Sequence, residues 1–458
     1  MAKPQAVPIL QLGKNFYDAV SPADFPQCTP RFLNRRWADQ IGLGNLDDDQ
    51  WARHFCRFEP LPGNLKEPLA LRYHGHQFRV YNPDIGDGRG FLFAQFHSED
   101  GRLLDFGTKG SGQTPHSRRG DGRLTLKGGV REVLATEMLE ALGVNTSKSF
   151  ALYETGEELW RGDEPSPTRS SVLTRLSHGH IRIGNFQRFA FFDDAEAIAA
   201  LTRYCLTHLL GEPLVDDAEN AARLLDRVCS ATAMLAASYV AAGFVHGVLN
   251  SDNINITGES FDYGPWRFAP RWDEEFVAAY FDEIGLYAFG RQPEAINWDL
   301  AQLAGCLAMI GQAPALSDLL ASWPNRFQLA LSERMLARLG IAPSGEAGDR
   351  PLVSAMIAAL RTGTVGIDRF FFDWRGGRIP TDEIYRTDEF AELASRLAGR
   401  QRLLTHPYWS DEGPCSMHID EVESIWAAIA DRDDWTLFDS KIEAVRRMGD
   451  AMTSDGAA

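Results

Sequence analysis

The hydrophobic pattern of this chain changes from the period of a β-strand to the period of a helix near residue 193. Before that point, short β-prone runs alternate with turns that contain Gly and Asp. Residues 90–97 and 102–108, joined by the turn 98–101, predict a β-hairpin, and further strands are predicted at 150–155, 159–161 and 171–176. The first part therefore favours an antiparallel sheet.

One helix interrupts the strands, and helices dominate after residue 193. The first is predicted by apolar residues that share one helical face before a left-handed cap at Gly143, namely Val130, Val133, Leu134, Met138, Ala141 and Leu142. Later helical segments are clearest at 195–210, 218–242, 298–310 and 328–339. The sequence predicts an α+β fold with a β-rich part at 1–193, a helical part at 194–364 and a C-terminal extension at 365–458 packed on the helical part. We expect residues 365–415, rich in Arg, Asp and Gly, to wrap the surface.

Charge and composition restrict the partners of the chain. It has 46 Lys and Arg against 63 Asp and Glu, a net charge of −17, which argues against a constitutive binder of nucleic acid or anionic membranes. No leader peptide is recognisable, and no uninterrupted apolar run approaches the roughly 18 residues of a membrane span. The six cysteines lie too far apart for a zinc knuckle or a CxxC pair, so a reducing cytoplasm is favoured.

The segment 102–131 reverses the charge of the chain locally. It holds seven basic and two acidic side chains, a charge of +5, and contains the Gly clusters 110–112 and 120–122. A third cluster, 86–90, lies just upstream. Glycines let backbone N–H groups approach phosphate oxygens, and cations neutralise them, although each cluster alone would suit an ordinary turn. Together they favour a polyphosphate cradle.

Two further pairs extend this cradle. Glu132 lies 23 residues after Lys109 on the predicted helix, the arrangement in which a kinase-like lobe pairs a strand lysine with a helix glutamate. The alternative is that Glu132 is an ordinary solvated residue. Arg175 and Arg182 lie seven residues apart and could grip a polyphosphate, although each alone suits a surface ion pair.

The strongest motif follows the predicted helix 218–242. His246 and Asn253 keep the spacing of a kinase catalytic loop, and Asp262-Tyr263-Gly264 follows in place of Asp-Phe-Gly. Val248 replaces the usual catalytic Asp, so Asp252 is the nearest candidate base. The oxygens of Asn253 and Asp262 suit Mg²⁺ or Mn²⁺, whereas the alternative is a pair of Asx turns.

These residues resemble the selenoprotein O family of kinase-like protein adenylyltransferases, as a diverged bacterial member. The resemblance spans about residues 15–312 and rests on the ordered motifs 73–78, 86–89, 109–115, 120–123, 250–253, 262–265 and 287–293. It implies a bilobal protein-kinase-like fold, with ATP inverted so that its α-phosphate faces the acceptor. AMP would pass to Ser, Thr or Tyr hydroxyls of proteins, with the chain itself among the candidate acceptors, and pyrophosphate would leave.

The resemblance also implies roles for individual residues. Asp252 would accept the proton, Asn253 and Asp262 would bind the metal, and Glu132 would pair with Lys109. The implied nucleotide contacts are Gly86, Gly88, Arg89, Lys109, Asp121, Gly122, Arg175, Arg182 and Asp262.

The sequence departs from the family in its regulatory cysteines. Family members commonly carry a Cys near the position of Ala278, whereas no Cys lies between Cys229 and Cys306 here, so a disulfide from that segment to the C-terminus is not expected. Two alternatives to adenylylation remain open. One is a phosphoryl or uridylyl transferase on the same fold, and the other is a non-catalytic nucleotide-binding pseudokinase scaffold, favoured by Val248.

Overall fold

The computed structural model describes residues 7–162 and 164–455. The strands are β1 Tyr17–Ala19, β2 Thr29–Leu33, β3 Leu69–Leu71, β4 Gly75–Gln77, β5 Val80–Asn82, β6 Leu92–His97, β7 Leu103–Lys109, β8 Leu124–Thr125, β9 Lys148–Leu159, β10 Thr168–Ser177, β11 Phe244–Val245 and β12 Arg267–Phe268. The helices are α1 Arg35–Gln40, α2 Asp48–Phe55, α3 Leu126–Ala141, α4 Ile183–Phe191, α5 Ala195–Tyr204, α6 Asp217–Ala242, α7 Gln292–Leu307, α8 Ala313–Leu339, α9 Glu346–Arg361, α10 Ile367–Asp373, α11 Asp388–Leu397, α12 Ile419–Arg432 and α13 Thr436–Ser454.

Eight of the strands before residue 178 build one antiparallel sheet, whereas β4 and β5 pair with each other in a separate two-stranded sheet, so the prediction of a mixed fold with an antiparallel sheet is confirmed. The order of the larger sheet is β1-β3-β6-β7-β10-β9-β2, and β8 pairs with β10 off this path. The predicted hairpin is the antiparallel pair β6–β7. The two strands predicted at 150–155 and 159–161 are wrong in one respect, because β9 continues to Leu159, with an irregularity in its pairing between Glu154 and Glu158 and with partners on both sides at 151–154.

Helix α3 packs across β9 and β10 and covers one face of the sheet with apolar side chains. Thr125 caps its N-terminus by accepting the N–H of Gly128 through its hydroxyl, at 3.1 Å. Gly143 follows the helix with a φ of +75°, as predicted for a left-handed cap. The helix is buried over most of its length, so its direction is fixed by packing.

The helical part is organised around α6, which packs along α7 and α8. By length and composition alone α6 could cross a membrane, but 72% of its apolar window is buried inside the fold, which is typical of a core helix. The helix predicted at 328–339 begins much earlier, at Ala313, and continues through Pro324. Proline normally ends a helix, but here Trp323 is buried and donates to Thr232 of α6 at 3.2 Å, so tertiary packing retains the turn.

Two other helix predictions need correction at their ends. The segment predicted at 195–210 is α-helical only to Tyr204, after which Cys205–Leu209 forms a π-turn. The segment predicted at 298–310 begins earlier, at Gln292, with Pro293 in its first turn.

The C-terminal residues contribute to the interior. Phe370, Trp374 and Arg375 are buried, so the expected surface wrapping is wrong for this stretch of 365–415. Apolar side chains of α10 and α11 join a core cluster with α8 and α9. The Arg- and Gly-rich composition of this segment did not indicate that it would be buried. Helices α12 and α13 pack on α3, within the β-rich part.

The cysteines divide into one pair and four free thiols. Cys28 and Cys56 form a disulfide with a Cα–Cα distance of 6.1 Å. Cys205, Cys229 and Cys306 are buried and Cys415 is partly buried. Disulfides are rare in reducing compartments, and the separation of Cys28 and Cys56 along the sequence gave no sign of this pair.

Candidate active site

A cavity of about 650 Å³ opens between the sheet and the loops that follow β11. Most of the residues singled out in the sequence form its wall: Gly86, Gly88, Arg89, Lys109, Asp121, Gly122, Arg175, Arg182, Asp252 and Asp262. Glu132 and Asn253 are not on the wall, but each contacts a residue that is. Residues separated by up to 176 positions therefore meet at one place.

A buried ion network forms the deep end of the cavity. Lys109 ends β7, is 4% exposed, and donates through Nζ to Oε1 of Glu132, which α3 presents and which is 1% exposed. The same Nζ lies 3.0 Å from Oδ1 of Asp262. The interpretation of Glu132 as a solvated helix residue is therefore excluded.

Basic side chains contact the Asp262 carboxylate from two directions. Its Oδ1 accepts from Nη1 of Arg175 at 3.3 Å. Leu173 pairs with Lys109 across β10 and β7, and Arg175 pairs with Gly107, so the Arg175 and Lys109 side chains share one face of the sheet. Burial alone would raise the pKa of Asp262, but Lys109, Arg175 and Arg182 outweigh it and hold the pKa well below its ordinary value.

The loop that carries these groups is anchored by His246 and Gln292. His246 donates through Nε2 to the carbonyl of Phe261 at 3.0 Å, directly before Asp262. Gln292 of α7 accepts the His246 backbone N–H at 3.0 Å and donates to the carbonyl of Phe244 at 2.8 Å. Burial lowers the pKa of His246, so this histidine acts as a neutral structural link.

Asp252 lies in a short 3-10 turn, Ser251–Asn253, and is 7% exposed. Burial raises its pKa to about 6, and the nearby Arg182 opposes that rise. Its Oδ1 has no hydrogen-bond partner among the residues that the structure describes. Oδ1 itself is buried, but Asp252 as a residue lines the cavity, and a carboxylate in that position can accept a proton from a hydroxyl that binds beside it.

Arg182 is held in place by Tyr73 and Asp87, two motif residues to which the sequence analysis gave no role. Its guanidinium lies 4.2 Å from the ring centroid of Tyr73 and donates to Oδ1 of Asp87 at 3.4 Å. It also donates to the backbone carbonyl of Asp252 at 3.2 Å. Asp87 lies inside the Gly cluster 86–90, and its acidic charge there was the available signal.

The Gly clusters 86–90 and 120–122 line the cavity, and the cluster 110–112 packs behind 120–122 without lining it. A Cβ at Gly86 would lie 2.5 Å from the ring of His116, and a Cβ at Gly88 would lie 2.9 Å from the His116 carbonyl. Gly122 has a φ of +70° and packs against the backbone of Gly112. Because side chains at these positions would push the loops apart, the wall requires glycine.

Asp121 lies at the mouth of the cavity beside the β9–β10 connection. Its carboxylate accepts from both Nη atoms of Arg161, at 2.8 and 3.1 Å. Burial would raise the pKa of Asp121, but Arg161 and the Arg123 backbone N–H together hold the pKa below its ordinary value. Trp160, Arg118 and Arg119 also line this mouth and were missed, or not assigned a role, from the sequence.

The Asp262 carboxylate and the Asn253 side-chain amide lie side by side and are the groups that would hold a hard cation. Asn253 places its side-chain amide 3.4 Å from Oδ2 of Asp262. The described residues contain no cluster of three or more His, Cys, Asp or Glu side chains with metal-binding geometry. A site with one carboxylate and one amide suits Mg²⁺, which usually completes its shell with phosphate oxygens and water.

Comparison with known proteins identifies the family. The profile of the family described as "Protein adenylyltransferase SelO" matches residues 4–390. A "Protein nucleotidyltransferase YdiU" of Synechococcus elongatus is 42% identical over 97% of this chain and 95% of that protein. Proteins of the same name are 42% identical in Gloeobacter violaceus, over 95% of this chain and 93% of that protein, and 36% identical in Vibrio cholerae, over 78% and 72%. The resemblance read from the motifs is confirmed: the chain belongs to the protein adenylyltransferase SelO family and is an enzyme of the nucleotidyltransferase class.

Proposed function

We propose that this enzyme transfers AMP from ATP to Ser, Thr or Tyr hydroxyls of proteins on a bilobal, kinase-like fold. The acceptor oxygen would form a bond to the α-phosphorus while the bond from that phosphorus to the bridging oxygen of the β-phosphate breaks. The hydroxyl proton would pass to Asp252, and pyrophosphate would leave. The family and its relatives support nucleotidyl transfer in general, and the site supports this particular form.

The observation that carries the proposal is that three basic side chains are buried at the deep end of the cavity. Lys109, Arg175 and Arg182 have side chains that are at most 6% exposed, and all three lie at the deep end of the cavity. Buried guanidinium and ammonium groups bind phosphate strongly. The terminal phosphates of ATP are therefore expected to enter first, which leaves the α-phosphate nearer the cavity mouth and the acceptor.

Asp252 supplies the base that Val248 cannot. It is the carboxylate on the cavity wall with an oxygen free of protein partners, as far as the structure describes the chain. When bound to Asp262 and Asn253, Mg²⁺ or Mn²⁺ would neutralise phosphate charge that develops during transfer. Lys109 would orient Asp262 through their contact, and Glu132 would hold Lys109 in place.

The alternatives differ in how well they are supported. A phosphoryl or uridylyl transferase would use the same cations, and only the labelled product or a change of nucleotide separates it from an adenylyltransferase. The pseudokinase scaffold is not supported, because relatives aligned over nearly the whole chain are named nucleotidyltransferases. The proposal includes three further points. The acceptors are proteins, the chain divides into parts at 1–193, 194–364 and 365–458, and the enzyme is cytoplasmic.

The test uses ATP labelled on either the α- or the γ-phosphate, with Mg²⁺ or Mn²⁺ and with protein-bound, acid-stable label as the readout. Wild-type enzyme should incorporate label from the α-position only, and Asp262→Ala should incorporate none. Asp450→Ala, which removes an exposed carboxylate on α13, is the matched control and should behave as wild type. Label from the γ-position would identify a kinase and overturn the proposal.

A further inference from the structure

Trp160 is an exposed indole on the wall of the active-site cavity. It follows the last residue of β9, is 74% exposed, and lines the cavity mouth. Within residues 7–162 and 164–455, its ring makes no aromatic or cation–π contact and its Nε1 makes no hydrogen bond. Single exposed apolar side chains are ordinary on a protein surface. An unpartnered Trp inside a ligand cavity, however, presents both faces of a large π-system to whatever binds there.

The other aromatic rings on the cavity wall are already occupied. Tyr73 is buried, and the Arg182 guanidinium covers its ring at 4.2 Å from the centroid. His116 packs its ring against Gly86 and contacts Asp18 through Nε2 at 3.0 Å. Of the described wall residues, Trp160 therefore offers the aromatic face that a ligand can reach.

The two ends of the cavity differ in their chemistry. Its deep end holds the buried cations Lys109, Arg175 and Arg182, whereas the mouth combines the Trp160 ring with Asp121, Arg118 and Arg119. A nucleoside triphosphate has the matching polarity, with charged phosphates at one end and a flat π-system at the other. If the phosphates lie at the deep end, the nucleobase lies at the mouth.

An ion pair holds the backbone next to Trp160. Arg161 makes a two-point contact with the Asp121 carboxylate, at 2.8 and 3.1 Å, and Asp121 belongs to the Gly-rich wall. Arg161 also donates to the carbonyl of Trp160 at 3.1 Å. The indole is thereby attached to the wall that lies beside the expected path of the nucleotide.

We propose that Trp160 binds the nucleobase by stacking at the cavity mouth and sets the affinity for purine over pyrimidine nucleotides. This inference rests on the proposed function, because it needs the phosphates at the deep end. Base–aromatic stacking accepts any base in principle, but a purine presents the larger π-face. Trp160 would therefore contribute to nucleotide preference without a base-specific hydrogen bond.

The test compares ATP with a ligand that has the phosphates but no base. Dissociation constants for ATP and for inorganic tripolyphosphate, each with Mg²⁺, are measured by calorimetry on wild type, Trp160→Ala and Trp160→Phe. Trp160→Ala should weaken ATP binding about tenfold and leave tripolyphosphate binding unchanged. Trp160→Phe should retain most of the ATP affinity, and the preference for ATP over UTP should shrink in Trp160→Ala.

Phe191→Ala, which removes an aromatic side chain that is 56% exposed and lies off this cavity, is the control and should change neither constant. An equal loss of ATP and tripolyphosphate binding in Trp160→Ala, or no loss of either, would overturn the stacking role. Failure of tripolyphosphate to bind wild type would overturn the arrangement with phosphates at the deep end. Because these are binding measurements, they remain separate from the outcome of the labelled-transfer test.

Discussion

At the scale of single residues, the candidate site places two carboxylates, Asp252 and Asp262, in opposite environments. Asp262 is surrounded by Lys109, Arg175 and Arg182, which hold its pKa well below the ordinary value despite burial. Asp252 is buried with less compensation, and its pKa is raised to about 6. A permanently charged group suits metal and phosphate binding, whereas a group that exchanges its proton near neutral pH suits acid–base work.

The role proposed for Asp252 predicts a selective loss. Asp252→Asn keeps the size of the side chain but removes its basicity, so AMP transfer should fall about 100-fold or more while the dissociation constant for ATP changes little. Single-turnover transfer and equilibrium binding, measured on the same preparation, give the two values. Asp273→Asn, an exposed change in a loop outside the cavity, should leave both unchanged. Full transfer activity in Asp252→Asn would assign the proton to another acceptor.

Glu259 predicts a pH-dependent stability. Burial raises its pKa to about 7, although Lys148 and the His178 backbone N–H oppose the rise. From about pH 4.5 to about pH 7 the folded state therefore keeps a proton that the unfolded state loses, so this carboxyl lowers stability as pH rises through that window. Glu259→Gln holds no titratable proton, and it should gain up to about 3 kcal/mol relative to wild type between about pH 5 and about pH 8.

The measurement for Glu259 is urea unfolding of both proteins at the two pH values. The exposed Glu275→Gln variant controls for the loss of one negative charge. A stability difference between Glu259→Gln and wild type that is the same at both pH values would contradict the prediction.

At the scale of elements, α3 is the part on which distant segments converge. It presents Glu132 to Lys109 on one side and packs against α12 and α13 on another. Lys127 at its start contacts Glu423 of α12 at 2.7 Å. In its middle, Glu137 is 3% exposed and accepts from Arg446 of α13 at 2.7 and 3.0 Å. The C-terminal helices thus help to fix the helix whose Glu132 holds Lys109.

Breaking the contact between α13 and α3 should therefore be costly. Among the described residues, Arg446→Ala leaves the buried Glu137 carboxylate with only a 3.4 Å contact from Asn34, and the free energy of unfolding should fall by about 3 kcal/mol. Arg396→Ala removes an exposed ion pair to Glu392 within α11 and should cost roughly 0.5 kcal/mol. Urea unfolding monitors both variants, and equal losses would show that α13 does not brace α3.

At the scale of the whole molecule, the apolar core joins the parts that carry the site. The largest cluster of buried apolar residues includes Ile9 near the start of the chain and Ala451 near its end, with side chains from the sheet, α3, α6 and α13. The cavity likewise draws on residues from Tyr73 to Asp262. Because ligand contacts come from both the sheet and the loops after β11, ligand binding should stabilise the folded chain as a unit.

Nucleotide and metal should therefore raise the melting temperature together. A ligand at about 100 times its dissociation constant adds about 2.7 kcal/mol to the stability of the folded state, so ATP with Mg²⁺ should shift thermal unfolding upward measurably. ATP with a chelator should give a smaller shift. In Asp262→Ala the increment due to metal should disappear, whereas Asp450→Ala should retain it; an undiminished increment in Asp262→Ala would place the metal elsewhere.

The sequence by itself determined the features that depend on neighbours along the chain. The β6–β7 hairpin, the helix α3 with its cap at Gly143, and the body of α6 were predictable because periodicity and turn chemistry are local. The order of motifs from residue 73 to residue 293 also identified the family. The spacing of Lys109 and Glu132 suggested their ion pair, but the solvated alternative could be rejected only from the fold.

Tertiary structure alone decided the contacts between residues far apart in sequence. The packing of Arg182 on Tyr73, the Arg446–Glu137 ion pair across 309 positions, the Cys28–Cys56 disulfide and the place of Trp160 at the cavity mouth follow from how the sheet and helices assemble. The helix α8 continues through Pro324 because packing on α6 outweighs a local preference. Such contacts depend on the burial of apolar surface throughout the chain, and no short stretch of sequence contains that information.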